Sequence, residues 1–134
     1  MRLTSFTDYG FRALMRMAGD PDRAFSTSEL ATDLRISRNH LAKVISRLAR
    51  AGILSTRRGG AGGAVLARPA EEIRLGDIAR ILEADQPLVE CFAGDASACT
   101  LVQRCRLKSR LAAAETAFLA ELDRSTLADC ADPP

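Results

Sequence analysis

Residues 37–68, SRNHLAKVISRLARAGILSTRRGGAGGAVLAR, decide the fold. In the first half Leu41, Val44, Ile45 and Leu48 recur at the helical period and form one apolar stripe. Ser37 is placed to cap this helix, and Ile36 and Leu41 have the spacing of a hydrophobic staple. Gly52 sits where a helix C-terminus takes a left-handed residue. The opposite face presents Arg38, Asn39, His40, Lys43, Arg47 and Arg50. The second half reads as a hairpin, ILSTRR and AVLAR around a glycine-rich tip, with Arg57 and Arg58 beside the tip and Gly59 and Gly60 within it. Pro69 closes the hairpin. The tip is no nucleotide-hydrolase phosphate loop, since it lacks the Gly-Lys-Ser/Thr ending and the helix that follows it.

Two further helices are expected upstream. The first spans 4 to 19, with Phe6, Tyr9, Phe11, Leu14, Met15 and Met17 as a broad apolar face and Ser5 and Asp8 in capping-box spacing. The second is announced by Ser26 and Glu29 in the same relation, runs to about Leu34, and turns through Arg35 and Ile36 into the third. A helix, a tight turn, and a helix with Arg, Asn and His near its start match a major-groove reading head. Arg can pair with guanine O6 and N7, and Asn with adenine N6 and N7. A hairpin directly after such a head is a wing, whose glycines let the backbone come close to a groove or phosphate. The expected DNA contacts are therefore Ser37, Arg38, Asn39, His40, Lys43, Arg47, Arg57, Arg58, Gly59 and Gly60. A solvated polar helix face is the plainer alternative. His40 by itself suits a surface or capping position better than a base contact, so the weight rests on the whole set.

Charge follows the same division. Residues 1–68 carry twelve Lys or Arg against five Asp or Glu, a balance of +7, and residues 69–134 carry seven against twelve, a balance of −5. The basic half is the one suited to a polyanion. With no Trp and 4% aromatic residues, the chain has little to offer as a stacking platform for single strands. No run of eighteen apolar residues exists, and the first twenty residues lack the pattern of a signal peptide. A cytoplasmic protein with reduced thiols and no membrane partner is expected, and hence no disulfide framework.

In the acidic half a short helix is expected within Ile73–Glu83, with Leu75, Ile78, Ile81 and Leu82 on its buried side. Pro87 then opens a loop holding Cys91, Cys99 and Cys105. Gaps of seven and five residues between the cysteines are too wide for a zinc knuckle, whose ligands come in close pairs. Thiolates at loose spacing suit iron-sulfur centres. Any one cysteine taken alone is better explained as a small buried hydrophobe than as a ligand. Three in a polar loop with no periodicity to bury them point to a ligand cluster. From Arg106 to about Arg124 a long helix carries Leu107, Leu111, Ala114, Phe118 and Leu122 in a narrow stripe suited to a partner helix, which favours a symmetric dimer; packing within one subunit is the alternative. No constellation for catalysis is visible, and a non-enzyme is expected. The fold class is mainly α with a small β wing: a winged helix-turn-helix head at 1–68, a connecting helix and linker at 69–90, a cysteine loop at 91–105, and a dimerisation helix with its tail at 106–134.

MRLTSFTDYGFRAL, SRNHLAKVISRLARAG, RGGAGGAVLARP, IRLGDIARILE and CRLKSRL, in this order, resemble the winged-helix iron-sulfur transcriptional repressors over nearly the whole chain. TSFTDYG, SRNH and CRLK are most similar to the nitric-oxide-sensing NsrR group, with the IscR and RirA groups as relatives. The resemblance implies a homodimer that binds double-stranded palindromic operator DNA with its cluster intact and releases it on nitrosylation by nitric oxide. It implies a [4Fe-4S] cluster, or alternatively [2Fe-2S], on Cys91, Cys99 and Cys105. Asp8, supplied by the partner subunit and supported by Arg12, is implied as the fourth ligand; Cys130 is the arithmetic alternative. Where IscR-type proteins carry a histidine ligand, three residues after the third cysteine, this chain has Lys108. The seven-residue gap and the ECF tripeptide at Cys91 are shared with RirA-type proteins, which keeps iron sensing as the alternative signal. A repressor switched by thiol oxidation without metal is a further alternative, and an iron-sulfur electron carrier is the reading from another class.

Overall fold

A computed structural model of the chain describes residues 2–59, 62–94 and 98–131. It begins with α1 (Ser5–Ala18), α2 (Thr27–Leu34) and α3 (Arg38–Arg50). These are followed by β1 (Leu54–Arg57) and β2 (Gly63–Leu66), then α4 (Leu75–Leu82) and α5 (Arg106–Leu122). The mainly helical fold class with a small antiparallel sheet is thus as expected from the sequence.

Local chemistry sets most of the boundaries. Ser26 Oγ accepts the Glu29 N–H at 3.1 Å and starts α2. Arg35 takes a left-handed conformation, φ 55°, and swings the chain into α3, where Ser37 Oγ faces the His40 N–H at 3.5 Å. Gly52, φ +79°, ends the α3 turn as its position in the sequence indicates. The start of α1 corrects the sequence reading. Thr4, not Ser5, is the cap: its Oγ1 accepts the Thr7 N–H at 3.3 Å. Glu83 selects it, accepting from the Thr4 N–H at 2.7 Å and the Thr4 hydroxyl at 2.9 Å, a contact between chain segments 79 residues apart that no local motif could announce. Asp8, released from the capping box, pairs with Arg12 instead.

The core gathers Leu14, Met17, Phe25, Leu30, Leu41, Val44, Leu48, Ile53, Ile73, Ile78 and Leu82 between α1, α2, α3 and α4. The buried stripe of α1 is narrower in side-chain size than its aromatics suggest: Gly10, Ala13, Leu14, Met17 and Ala18 are buried, while Phe6, Tyr9, Phe11 and Met15 lie at the edge. Small residues let α1 come close, and a Cβ on Gly10 would overlap the Leu82 side chain. On α4, Ile78 and Leu82 are buried as expected, whereas Leu75 and Ile81 are at the periphery.

In the wing Leu54 pairs with Leu66 and Arg57 with Gly63. A third segment joins it: the Phe25 N–H donates to the Ala64 carbonyl at 2.9 Å, and the Ala64 N–H to the Phe25 carbonyl at 2.8 Å. The residues after α5 return to the head rather than trailing away. The Leu127 N–H donates to the Ile73 carbonyl at 2.8 Å, and Leu127 is fully buried against α1 and the turn Ala70–Glu72. The Asp123 carboxylate clasps Arg80 of α4 at 2.6 and 2.8 Å.

Candidate nucleic-acid interface and thiol segment

Burial of Leu41, Val44, Ile45 and Leu48 fixes the rotation of α3, and the remaining face follows from helical geometry. Ser37, Arg38, Asn39, His40 and Lys43 are all exposed, in one patch over the first turns of the helix. Arg47 differs. It is half-buried, its guanidinium 5.1 Å from the Phe6 ring centroid and its Nη2 donating to Asp85 at 2.7 Å. Phe6, Ala42, Lys43, Ser46, Arg47 and Arg50 line a shallow groove along the C-terminal half of the same face. His40 stacks on Tyr9, ring centroids 6.4 Å apart, so α1 borders the start of α3.

Arg57, Arg58 and Gly59 are exposed at the end of the wing, while Gly60 lies outside the described residues. The wing's glycines have a structural duty that the sequence reading did not assign. At Gly63, φ +152°, a Cβ would run into the Phe25 carbonyl, whose carbon lies 2.6 Å away. Close approach is thus used inside the fold, to seat the wing on the segment before α2. Arg16 and Arg23 flank the Phe25 ring at 4.9 and 4.3 Å, and Arg23 is paired with Glu29. These two cations are spent on holding the wing base.

Among the described residues, the segment that holds the thiols has little regular structure. Cys91 is in the short turn Glu90–Phe92, Cys99 is in irregular chain, and Cys105 precedes the first residue of α5. All are partly exposed and free of disulfides, as is Cys130 in the turn Leu127–Cys130. Leu88 and Phe92 anchor the start of the segment in a cleft shared with Leu3, Ala79, Phe118 and Leu119. Among the described residues no three His, Cys, Asp or Glu side chains converge on a single metal position. Three soft thiols suit an iron-sulfur centre in donor chemistry, yet the single chain does not draw them together. Asp8 accepts two hydrogen bonds from Arg12, at 2.6 and 3.1 Å, and its side chain is 46% exposed.

The long helix α5 buries none of its 17 residues. Its predicted stripe divides: Phe118 turns into the cleft of its own subunit, while Leu107 and Ala114 face outward, Leu107 with 62% of its surface exposed. Missed from the sequence were Asp85 and Glu83, two acidic residues beyond α4 that grip α3 and α1. No local pattern marks either, because each partner lies dozens of residues away.

Comparison with known proteins agrees with this architecture. The chain is similar to T. potens IscR at 26% identity, with 96% of this chain and 85% of that one covered and a TM-score of 0.75. It is similar to CymR, the global cysteine regulator of B. subtilis, at 26% identity over 98% of this chain and 99% of that one, TM-score 0.71. An oxidized form of Staphylococcus aureus CymR matches at 26% identity over 100% and 98%, TM-score 0.73. Residues 3–133 match the family model described as Rrf2, iron-dependent transcriptional regulator, and the chain therefore belongs to the Rrf2 family of transcriptional regulators.

Proposed function

We propose that this Rrf2-family regulator is a homodimeric repressor of a palindromic operator, with α3 in the major groove and the wing on the adjacent backbone, and that nitric oxide is its signal. The observation that carries the DNA reading is the exposed Ser37–Lys43 patch, held rigid by the buried stripe behind it. Asn39 and Arg38 are placed for base edges, and Arg57 and Arg58 for phosphates. Dimerisation through α5 is supported by its outward face, where Leu107 and Ala114 stay exposed while Phe118 packs within the subunit, and no residue of the helix is fully buried.

The sensing residues proposed are Cys91, Cys99 and Cys105, with Asp8 of the partner subunit completing the set. An iron-sulfur cluster bound there would supply an iron centre able to react with nitric oxide. The chain's own part is conformational: the three thiols must be drawn together, and Asp8 must loosen its two-bond contact with Arg12 to reach across. Binding thereby fixes the segment between α4 and α5 and, through it, the spacing of the two heads. Each 1.4 kcal/mol between competent and incompetent arrangements is about tenfold in affinity.

Two observations favour other signals. The family description is iron-dependent, which suits the iron-responsive alternative. Free thiols that do not converge, together with the likeness to a CymR in an oxidized form, suit a metal-free thiol switch. One titration separates them. Protein prepared without oxygen is assayed for iron and sulfide, then titrated with nitric oxide while absorbance and binding to a selected palindromic duplex are followed together. The expected result is a coloured protein that loses duplex binding as the chromophore is consumed. Release by iron chelation but not by nitric oxide would replace the signal, and a colourless protein that releases DNA on oxidation would replace the cluster.

A further inference from the structure

Among the described residues, Arg47 is the one member of the proposed DNA set whose guanidinium is already engaged by an acid. Its Nη2 donates to Asp85 Oδ2 at 2.7 Å, while its guanidinium lies over Phe6. The groove beside it collects Lys43, Ser46 and Arg50, so Asp85 is an anion set at the edge of a cationic strip. Asp85 is 71% exposed and not packed into this position by apolar contacts. The turn after α4 carries it, closed by the Gln86 N–H donating to the Glu83 carbonyl at 2.8 Å. Pro87 and the cysteine segment follow directly, with Cys91 six residues beyond Asp85.

Carboxylate and phosphate oxygens compete for the same guanidinium fork. We propose that Asp85 is an intramolecular stand-in for a DNA phosphate, which keeps Arg47 off the backbone and is carried by the chain that leads into the cysteine segment. A shift of that segment which withdraws Asp85 adds one phosphate contact to each head. The inference rests on the DNA-binding reading above, and it holds whichever signal acts on the thiols.

The test measures binding of a mixed-sequence duplex and of the selected palindrome between about 50 and about 200 mM salt, a range over which phosphate contacts separate clearly. Four proteins are compared: wild type, Asp85→Asn, Arg47→Gln and the double variant. Thermal melts check that each variant is folded. Because exposed pairs are weak, Asp85→Asn is expected to bind both duplexes about two- to fivefold more tightly. Its log K against log salt should steepen by about 0.9 per added contact. In the Arg47→Gln background the same change should do nothing to either quantity. Unchanged binding by Asp85→Asn would overturn the inference. So would equal tightening in both backgrounds, which would mark a general effect of net charge. A wild type that binds neither duplex would overturn the DNA-binding reading, and this inference with it.

Discussion

Single residues in this protein are fixed by what stands opposite them. Gly63 shows the principle. Its φ of +152° and the nearby Phe25 carbonyl leave no space for a side chain, so Gly63→Ala should push β2 from the Phe25 segment and destabilise the fold by about 1–3 kcal/mol. Urea unfolding would register this as a lower midpoint at unchanged slope. A midpoint equal to wild type would mean that the wing shifts at no cost. Asp8 and Thr4 make the same point for polar groups. The sequence offered Ser5 and Asp8 as a reciprocal cap, but Glu83 satisfies Thr4 from across the molecule and leaves Asp8 to Arg12. A carboxylate that holds no cap is available for another partner, which is the property its proposed ligand role requires.

At the scale of elements, α3 and α5 contrast. The apolar stripe of α3 is fully used within the chain, so its exposed face is a genuine remainder and its orientation was legible from periodicity alone. The stripe of α5 was legible too, but its use was not, because a helical period reveals a face and not what covers it. Phe118 goes to the subunit's own cleft, whereas Leu107 and Ala114 do not. Replacing Leu107 and Ala114 by Asp should therefore convert a dimer into a folded monomer of 14.4 kDa, measured by sedimentation, with helical circular dichroism retained. A dimer that survives both changes would place the subunit contact elsewhere. Hydrogen exchange at residues 87–94 and 98–104 should be fast beside that of α1 and α3, because few of these described amides donate to a backbone carbonyl.

At the scale of the whole molecule, the end of α5 is held to α4 by charge as well as by apolar contact. Asp123 sits below the ordinary carboxylate range because Arg80 donates to it, with partial burial opposing the shift. Asp129 is lowered by the Thr126 N–H in the same region. A carboxylate lowered in the folded state stabilises it above the unfolded pKa, about 3.9, and loses that contribution as pH falls through the native value. Acidification below about pH 5 should thus loosen the return of the tail onto α4. Asp123→Asn should flatten the pH dependence of the unfolding midpoint in that window; an undiminished dependence would remove the Arg80 clasp as its cause. The helices, the wing and the exposed basic face of α3 were determined by the sequence itself, since capping, period and turn chemistry act between residues a few positions apart. Tertiary structure alone decided that Glu83 caps α1, that Asp85 holds Arg47, that Phe25 makes a third partner for the wing, and that Leu127 returns to the head. Each of these joins residues far apart along the chain, brought together by the packed core and by nothing local.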